Sequence, residues 1–229
     1  MSTAFSKVIS QAKGVEYCHE PFTATYYFGP ERRCRRYGDV PDALEHSSAA
    51  VNDRLLHAQL DGGSVFVKDL AFQAVAYAEE KLLSSACHAV IFRHPGYVHR
   101  SLVKLKPDYT EEEFGFIALL EMVSRLEALG KEYLVVDGQR FREAPRDVAS
   151  RYCDYAGLSY SDSMLHWRDG QIRPWAEDEV SSQAPWHRTL ETSHGVLSPP
   201  AECGIPEVPN TALHRRATEA YHELKARAD

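Results

Sequence analysis

The stretch Cys87–Leu105 reads CHAVIFRHPGYVHRSLVKL and decides the fold. Its first part, Ala89–Phe92, is a short apolar, β-rich run of the kind found in a strand buried on both faces. Proline cannot continue a central strand but suits the first turn of a helix, so the strand ends before Pro95. After Pro95, apolar residues at spacings of four and three predict a helix: Val98, Leu102 and Leu105. The chain therefore turns at Arg93, and in an open α/β sheet ligands bind at such a carboxyl strand end.

Arg93 and Ser101 stand eight residues apart around this turn. Arginine offers a bidentate fork for phosphate, and a serine hydroxyl adds a short donor. The pair is therefore a candidate anion site. The alternative is an arginine in a surface ion pair and a serine that is merely tolerated in a helix, and the spacing alone does not decide between the two.

The composition fits a globular protein and argues against several function classes. Hydrophobic residues make up 44% of the 229 residues and charged residues 26%, which is ordinary for a globular chain with a substantial core. The net charge of −7 argues against a nucleic-acid partner. We expect neither a membrane span nor a signal peptide, because no apolar run is long enough. The five cysteines are scattered and never form a CxxC pair, so we expect the cytoplasm, no disulfide framework and no metal site.

Predicted strands and helices alternate, which is typical of an α/β protein with a parallel sheet. Further strands are predicted at 15–19, 64–70 and 133–137, and a turn at 61–63. Helices are predicted from Phe5 to Gly14, at 51–60, through Leu83, from Thr110 to Gly130, at 145–156 and from 210 to 227. We predict a single domain over 1–229, with an α/β core at 1–158, a loop-rich closing segment at 159–209 and a C-terminal helix at 210–229.

Three predicted strands end in polar pairs, which are His19-Glu20, Lys68-Asp69 and Arg93-His94. The carboxyl ends of parallel strands meet at one edge of a sheet, so these pairs should share a crevice. His94 and His99 have no partner spacing typical of a metal site, and we interpret them as a loop histidine and an exposed helix histidine. The basic run Glu31–Arg36 is either a solvated loop or a means of attracting an anionic ligand.

This order of strand ends, with Arg93 and Ser101, resembles the nucleotide-dependent sulfotransferases. The resemblance extends from Ser2 to about Gly195 and is closest to a bacterial and fungal branch with R-S-x-S-T-A-F, H-E-P-F and G-P-E-R-R segments. The matching segments here are Ser2–Phe5, His19–Phe22 and Gly29–Arg33. The resemblance implies a three-layer α/β/α fold with a parallel, P-loop-like sheet. It also implies transfer of a sulfonate from 3′-phosphoadenosine-5′-phosphosulfate (PAPS) to a hydroxyl or amine of a small-molecule acceptor.

The resemblance also implies roles for individual residues. Arg93 and Ser101 fall where such enzymes hold the 3′-phosphate, and Ser2 and Thr3 fall where the 5′-phosphosulfate is bound at a helix N-terminus. The Arg-Lys-Gly nucleotide motif of many members is absent, and Arg188 is our candidate for its substitute.

For catalysis the resemblance implies a carboxylate base at Glu20 and a lysine, Lys68, that stabilises the leaving group. His19 is a rival base, because an imidazole titrates nearer neutrality. Lys68 would otherwise form a structural ion pair. Three aromatic residues are candidates for the wall of an acceptor pocket: Phe22, Tyr26 and Trp186. Aromatic residues are equally common in protein cores, which is the alternative for each of them.

One departure from the family concerns the phosphate loop. The family's loop follows a first, central strand, whereas this chain begins at Met1 within the loop, and no GxxxxGK[ST] motif occurs elsewhere. Without that strand, the flanking strands at 64–68 and 89–92 either keep unpaired inner edges or close onto each other.

Three explanations for the missing strand remain open. The sequence is truncated at its N-terminus, the protein is a homologue that has lost catalysis, or its sheet is rearranged and still binds the nucleotide. The alternative function is accordingly a non-catalytic module that binds a nucleotide or a partner, while the missing Walker lysine argues against a phosphotransferase.

Overall fold

Helices and strands alternate along the described part of the chain. A computed structural model describes residues 1–38, 41–60, 64–175, 184–199 and 204–228. The strands are β1 (Val15–His19), β2 (Ser64–Lys68), β3 (His88–Phe92) and β4 (Tyr133–Asp137). The helices are α1 (Ser2–Ile9), α2 (Phe22–Phe28), α3 (Ser48–Leu60), α4 (Ala71–Tyr77), α5 (Glu80–Ser85), α6 (Pro95–Leu105), α7 (Glu111–Phe114), α8 (Phe116–Ala128), α9 (Gly138–Glu143), α10 (Pro145–Ala156), α11 (Ala184–Glu191) and α12 (Ala212–Ala226). All four strands lie where the sequence predicts them.

The strands form two separate parallel pairs. β1 pairs with β2 in a register that sets His19 opposite Lys68, and β3 pairs with β4 so that Phe92 lies opposite Asp137. Within the described residues, β2 and β3 do not pair with each other. The α/β class with parallel strands is confirmed, but in the part of the chain that the structure describes the two inner strand edges stay unpaired and do not close into one sheet.

Helices cover both faces of the strands. In β3, Val90 and Phe92 belong to one core cluster, whereas Ala89 and Ile91 pack against another. Since successive residues of a strand point to opposite faces, the two clusters lie on opposite sides. The first cluster contains side chains of α3, α4, α5 and α8, and the second contains side chains of α1, α9 and α10. The arrangement is therefore three-layered.

Two helices that the sequence predicts as continuous are each broken in two. The predicted helix through Leu83 is interrupted between α4 and α5. The predicted helix from Thr110 to Gly130 begins with a capping box formed by Thr110 and Glu113 but stops at Gly115, whose φ of 83° is left-handed. Only glycine adopts this conformation readily, and α8 starts anew after it.

The predicted closing segment is more structured than a loop. Trp167, Ile172 and Leu190 are buried in the second core cluster, and α11 lies in this segment. Its residues 176–183 and 200–203, including Cys203, lie outside the described residues, as does the predicted turn at 61–63. The predicted C-terminal helix is present as α12, and Thr211 caps it. In the part of the chain that the structure describes, no helix combines the length and apolarity needed to cross a membrane.

The basic run Glu31–Arg36 is held by acidic residues of other segments. Three of its arginines form ion pairs: Arg32 with Asp42, Arg33 with Glu112 and Arg36 with Asp108. These contacts favour the interpretation of the run as a structural surface loop over that of an anion-attracting patch.

Candidate functional site

A cavity of about 520 Å³ opens at the carboxyl ends of β2 and β3 and extends between the two strands. Its lining includes Lys68 at the end of β2, Arg93 directly after β3 and Ser101 on α6. Met1 and Ser2, at the start of α1, line it as well. The structure thus brings together four of the polar residues that the sequence singles out, although they are far apart along the chain.

Among the described residues, the guanidinium of Arg93 has no carboxylate partner. Its Nε is buried without a hydrogen-bond partner, and none of the ion pairs within the described residues involves it. Its guanidinium carbon lies 4.7 Å from the centre of the Tyr97 ring. Burial, together with the nearby charges of Arg142 and Arg100, lowers the pKa of Arg93 to about 10. A desolvated, unpaired cation is unfavourable in the absence of a counterion, so this position favours an anion.

Lys68 forms a buried ion pair with Glu20, the first residue after β1. The two side chains are only 7% and 10% exposed. Glu20 has a φ of 46°, a left-handed conformation that non-glycine residues seldom adopt and that is often found at functional sites. Burial by itself would raise the pKa of the Glu20 carboxyl, but the charge of Lys68 and the hydrogen bond from Lys68 hold it at about 2.

His19 lies beside this ion pair as a neutral imidazole. Its Nδ1 is 2.6 Å from the Tyr17 hydroxyl, and its Nε2 is 3.8 Å from Oε1 of Glu20. Burial, opposed in part by the charge of Glu20, lowers the pKa of His19 to about 3. The Nε2 atom is buried and has no hydrogen-bond partner. In the tautomer whose Nδ1–H donates to the Tyr17 hydroxyl, Nε2 carries the free lone pair and is able to accept a proton from a substrate.

One family model covers almost the entire chain. A sulfotransferase domain matches residues 1–228. The chain belongs to the sulfotransferase domain family. The resemblance to sulfotransferases seen in three short sequence segments is therefore confirmed at the level of the family.

One curated relative of this sulfotransferase-family chain carries a different description. Branched-chain-amino-acid aminotransferase-like protein 1 from Arabidopsis thaliana is 25% identical over 202 residues, which is 87% of the chain. The match covers 35% of that protein, so the chain spans about a third of the length of this relative. No solved structure matches the chain significantly.

The other residues predicted to bind the nucleotide differ in their placement in this sulfotransferase-family protein. Ser2 begins α1 and lines the cavity, where backbone N–H groups of the first turn are available to an anion. Thr3 follows on the same helix, but it is not one of the described residues that line the cavity. Arg188 lies on α11, is exposed to solvent and is likewise absent from the described lining. The geometry therefore does not support Arg188 as the substitute for the missing family motif.

The predicted aromatic pocket is only partly present. Phe22 is 2% exposed and Trp186 is 38% exposed, and both line the cavity. Tyr26 instead lies in the core, where its ring packs edge-on against Phe72 and its hydroxyl donates to Glu112 at 3.2 Å. The prediction that Tyr26 lines the acceptor pocket is corrected accordingly, because core and pocket aromatic residues have the same sequence signature.

His187 lies beside His19, and the sequence analysis assigns it no role of its own. The side chain is buried, and its ring centre lies 4.9 Å from that of His19 and 4.8 Å from that of Trp175. Burial lowers the pKa of His187 to about 4, and its Nδ1 has no hydrogen-bond partner. The sequence does contain one indication that His187 is buried. His187 and Leu190 are three residues apart, a spacing that places both on the same, buried face of α11. Arg188, one residue on, faces outward for the same reason.

Asp69 provides a second buried carboxyl at the end of β2. It accepts hydrogen bonds from the backbone N–H groups of Phe22 at 3.0 Å and Leu70 at 2.7 Å. Burial, opposed by these two hydrogen bonds, raises the pKa of Asp69 to about 7. Because both oxygens bind backbone N–H groups, Asp69 mainly ties β2 to α2.

Proposed function

We propose that the protein transfers a sulfonate group from PAPS to a hydroxyl or amine of a small-molecule acceptor. The observation that carries this proposal is the guanidinium of Arg93, which lies in the cavity together with Ser101 and has a buried Nε without a partner. Phosphate oxygens are the acceptors that such a guanidinium prefers. Membership of the sulfotransferase domain family supports the type of reaction.

In this proposal the donor binds along the strand ends. Arg93 and Ser101 hold the 3′-phosphate, and Ser2, at the N-terminus of α1, binds the 5′-phosphosulfate end; Thr3, which does not line the cavity, contributes at most its backbone N–H. PAPS supplies the sulfonate, whose bond to the phosphate oxygen breaks as a bond to the acceptor oxygen or nitrogen forms. In this scheme Lys68, which lines the same cavity, stabilises with its ammonium the charge that grows on the leaving phosphate.

Glu20 accepts the proton of the acceptor in this scheme. Lys68 is the main group that keeps the pKa of Glu20 low, while burial acts in the opposite direction. As Lys68 shifts toward the leaving phosphate, the buried carboxylate loses its counterion and its pKa rises. The base therefore becomes stronger as the leaving group develops charge, which couples the two halves of the reaction. His19 is the rival base, with an open Nε2 beside the same ion pair.

The acceptor is proposed to lie against the aromatic and apolar wall of the cavity. Trp186 and Phe22 line it beside Lys68. Ligand pockets are commonly apolar with a few convergent polar groups, and this cavity has that character. A small acceptor with an apolar or aromatic body fits it better than a highly charged one.

The test compares 3′-phosphoadenosine 5′-phosphate with ATP in a thermal-shift assay. At a hundred times its dissociation constant, a ligand stabilises the folded protein by about 2.7 kcal/mol. We expect stabilisation by the bisphosphate and not by ATP. The effect should disappear in Arg93→Ala and persist in the matched control Arg146→Ala, which removes an exposed arginine paired with Asp162. An equal response to ATP, or none to either nucleotide, would contradict the proposal.

A second candidate function is nucleotide binding without transfer. The observation in its favour is that the ammonium of Lys68 is already neutralised by Glu20. In this case the bisphosphate still stabilises the protein, but no labelled sulfonate passes from PAPS to phenols, alcohols or amines. Transfer that is lost in Lys68→Met would exclude this second candidate.

A further inference from the structure

A fully buried glutamine lies two hydrogen bonds behind the Glu20 carboxylate. Gln73, on α4, is 0% exposed, and its Oε1 lies 2.9 Å from the hydroxyl oxygen of Thr23 on α2. The same hydroxyl oxygen lies 3.3 Å from Oε2 of Glu20. Neither Gln73 nor Thr23 has a role in the reaction proposed above.

The protons of these three groups are in conflict when the Gln73 oxygen faces Thr23. A threonine hydroxyl has one proton to donate, but both of its neighbours, the Glu20 carboxylate and the Gln73 carbonyl oxygen, are acceptors. One of them is therefore left facing the lone pairs of the hydroxyl. At the other end of the same amide, Nε2 of Gln73 is buried and has no hydrogen-bond partner among the described residues. A buried donor without a partner is destabilising.

A rotation of the Gln73 amide by 180° resolves this conflict. Nε2 then donates to the hydroxyl oxygen of Thr23, and the hydroxyl proton is free to donate to Oε2 of Glu20. The rotated amide leaves a buried carbonyl oxygen without a donor, which proteins tolerate better than an N–H without an acceptor. Glu20 is charged, since it forms an ion pair with Lys68. Hydrogen bonds to charged acceptors are stronger than those between neutral groups, so the ionised site favours the rotated amide.

We infer that Thr23 and Gln73 are positioning residues for Glu20: the Gln73 amide donates to the Thr23 hydroxyl, which donates to Oε2 of Glu20. Oε1 is then the oxygen that takes the proton of the sulfonate acceptor. The inference rests on the proposed sulfonate transfer, in which Glu20 is the base. As the O–H or N–H bond of the acceptor breaks, its electron pair forms the new bond to sulfur and the proton moves to Oε1.

The contacts of the two carboxylate oxygens support this division of roles. Lys68, which lines the cavity, donates to Oε1, whereas Thr23 is not among the described residues that line it. The backbone N–H of Thr23 also donates to the carbonyl oxygen of Glu20 at 3.0 Å, so Thr23 holds the main chain and the side chain of Glu20. The left-handed φ of 46° at Glu20 requires such surrounding contacts. When Lys68 shifts toward the leaving phosphate, Oε1 becomes free while Thr23 keeps the carboxylate in place.

Urea denaturation at pH 7 tests the hydrogen bonds without the need for sulfonate transfer. Thr23→Val removes the hydroxyl at nearly unchanged volume, and Thr23→Ser keeps it. We expect Thr23→Val to raise the unfolding equilibrium constant at least about tenfold more in the wild type than in Glu20→Gln, whose side chain is uncharged. This ratio is the coupling between Thr23 and Glu20. Thr218→Val, which removes a hydroxyl bonded to the carbonyl oxygen of His214, is the matched control and should act equally in both backgrounds.

Gln73→Met tests the orientation of the amide. If Nε2 donates to Thr23, loss of the amide should leave the coupling between Thr23 and Glu20 unchanged or make it weaker. If Oε1 of Gln73 takes the hydroxyl proton instead, its removal frees that proton for Glu20, and a stronger coupling would overturn the inference. In the wild type, the side-chain amide protons of Gln73 should show a strong nuclear Overhauser effect to the side chain of Thr23. This measurement needs no variant, and the absence of the effect would also overturn the inference.

The pH profile of sulfonate transfer separates positioning from a merely structural role. The acidic limb of the kcat profile reports the base in the enzyme–substrate complex. Thr23→Val should move this limb to higher pH by at least about 1, because the carboxylate loses a donor, whereas Thr23→Ser should leave it in place. A loss of kcat that is the same at every pH would overturn the positioning role. Absence of transfer in the wild type would contradict the proposed function, and the coupling alone would then decide the inference.

Discussion

The ammonium of Lys68 and the carboxylate of Glu20 form an ion pair across the carboxyl ends of β2 and β1. The backbone N–H of Glu20 also donates to the carbonyl oxygen of Lys68 at 2.6 Å, which extends the strand pairing by one residue. Both side chains are almost completely buried, so neither charge has water as an alternative partner. The same ion pair therefore stabilises the carboxyl ends of β1 and β2 and takes part in the sulfonate transfer proposed for the protein.

We expect Lys68→Met to destabilise the protein by about 3–5 kcal/mol, because it leaves the Glu20 carboxylate buried without a counterion. The double variant Lys68→Met/Glu20→Gln should recover most of this loss. Urea denaturation of the wild type and the variants measures both effects. Arg140→Met is the matched control: it removes an exposed ion pair with Asp147 and should cost less than about 1 kcal/mol. If the lysine variant were no less stable than this control, the buried ion pair would be without energetic importance.

His187 should make the stability of the protein depend on pH. Burial lowers the pKa of His187 from 6.5 to about 4, so the unfolded chain binds this proton more readily than the folded protein does. The contribution of the neutral His187 side chain to the unfolding free energy is complete above pH 6.5 and is lost as the pH falls toward 4. Over this range, the unfolding free energy of the wild type should fall more steeply than that of His187→Gln, by up to about 1.4 kcal/mol per pH unit.

Chemical denaturation at a series of pH values between 4 and 7 checks this expectation. Asp69, whose pKa is raised to about 7, changes the unfolding free energy in the opposite direction. Its stabilising contribution is greatest below its unfolded pKa of 3.8 and is lost as the pH rises through 7. Its effect is common to both proteins and cancels in the comparison. The exposed His57→Gln serves as the control and should leave the slope unchanged. If the unfolding free energies of the wild type and His187→Gln changed with pH by the same amount, His187 would not be buried as described.

Gly170 permits the close approach of α11 to the loop before it. A Cβ atom at this position would lie 1.9 Å from the carbonyl oxygen of Leu190, which is backbone and has little freedom to move. Gly170→Ala should therefore displace the helix that carries Trp186 and His187 and cost about 1–3 kcal/mol. Gly204→Ala, where nothing lies within 4 Å, is the control and should be neutral. Melting temperature and tryptophan fluorescence measure the effect, and equal behaviour of the two variants would contradict the described packing.

The strands and their polar ends were predictable from the sequence for a physical reason. Short apolar runs of β-rich residues have few alternatives to a buried strand, and Pro95 determines where β3 ends. Parallel strands place their carboxyl ends on one edge, so the convergence of Lys68, Glu20 and Arg93 followed from the order of the elements alone.

The remaining features depend on tertiary packing, which leaves little trace in a single sequence. Apolar periodicity continues across Gly115, so nothing in the pattern marks the break between α7 and α8. Tyr26 and Trp186 are both aromatic residues, yet one lies in the core and the other lines the cavity. Whether β2 and β3 pair with each other or stay apart depends on the helices packed against them. The strand propensities of their residues are the same in both cases, so the sequence does not distinguish the two.

The most direct test of the central claim is whether Arg93 recognises a 3′-phosphate. Calorimetry would compare 3′-phosphoadenosine 5′-phosphate with adenosine 5′-phosphate, for the wild type and for Arg93→Ala. Charge-assisted hydrogen bonds contribute about 1.5–3 kcal/mol, so the wild type should prefer the bisphosphate by at least about tenfold. In Arg93→Ala the two nucleotides should bind with nearly equal affinity. Equal affinities in the wild type, or an undiminished preference in the variant, would contradict the claim.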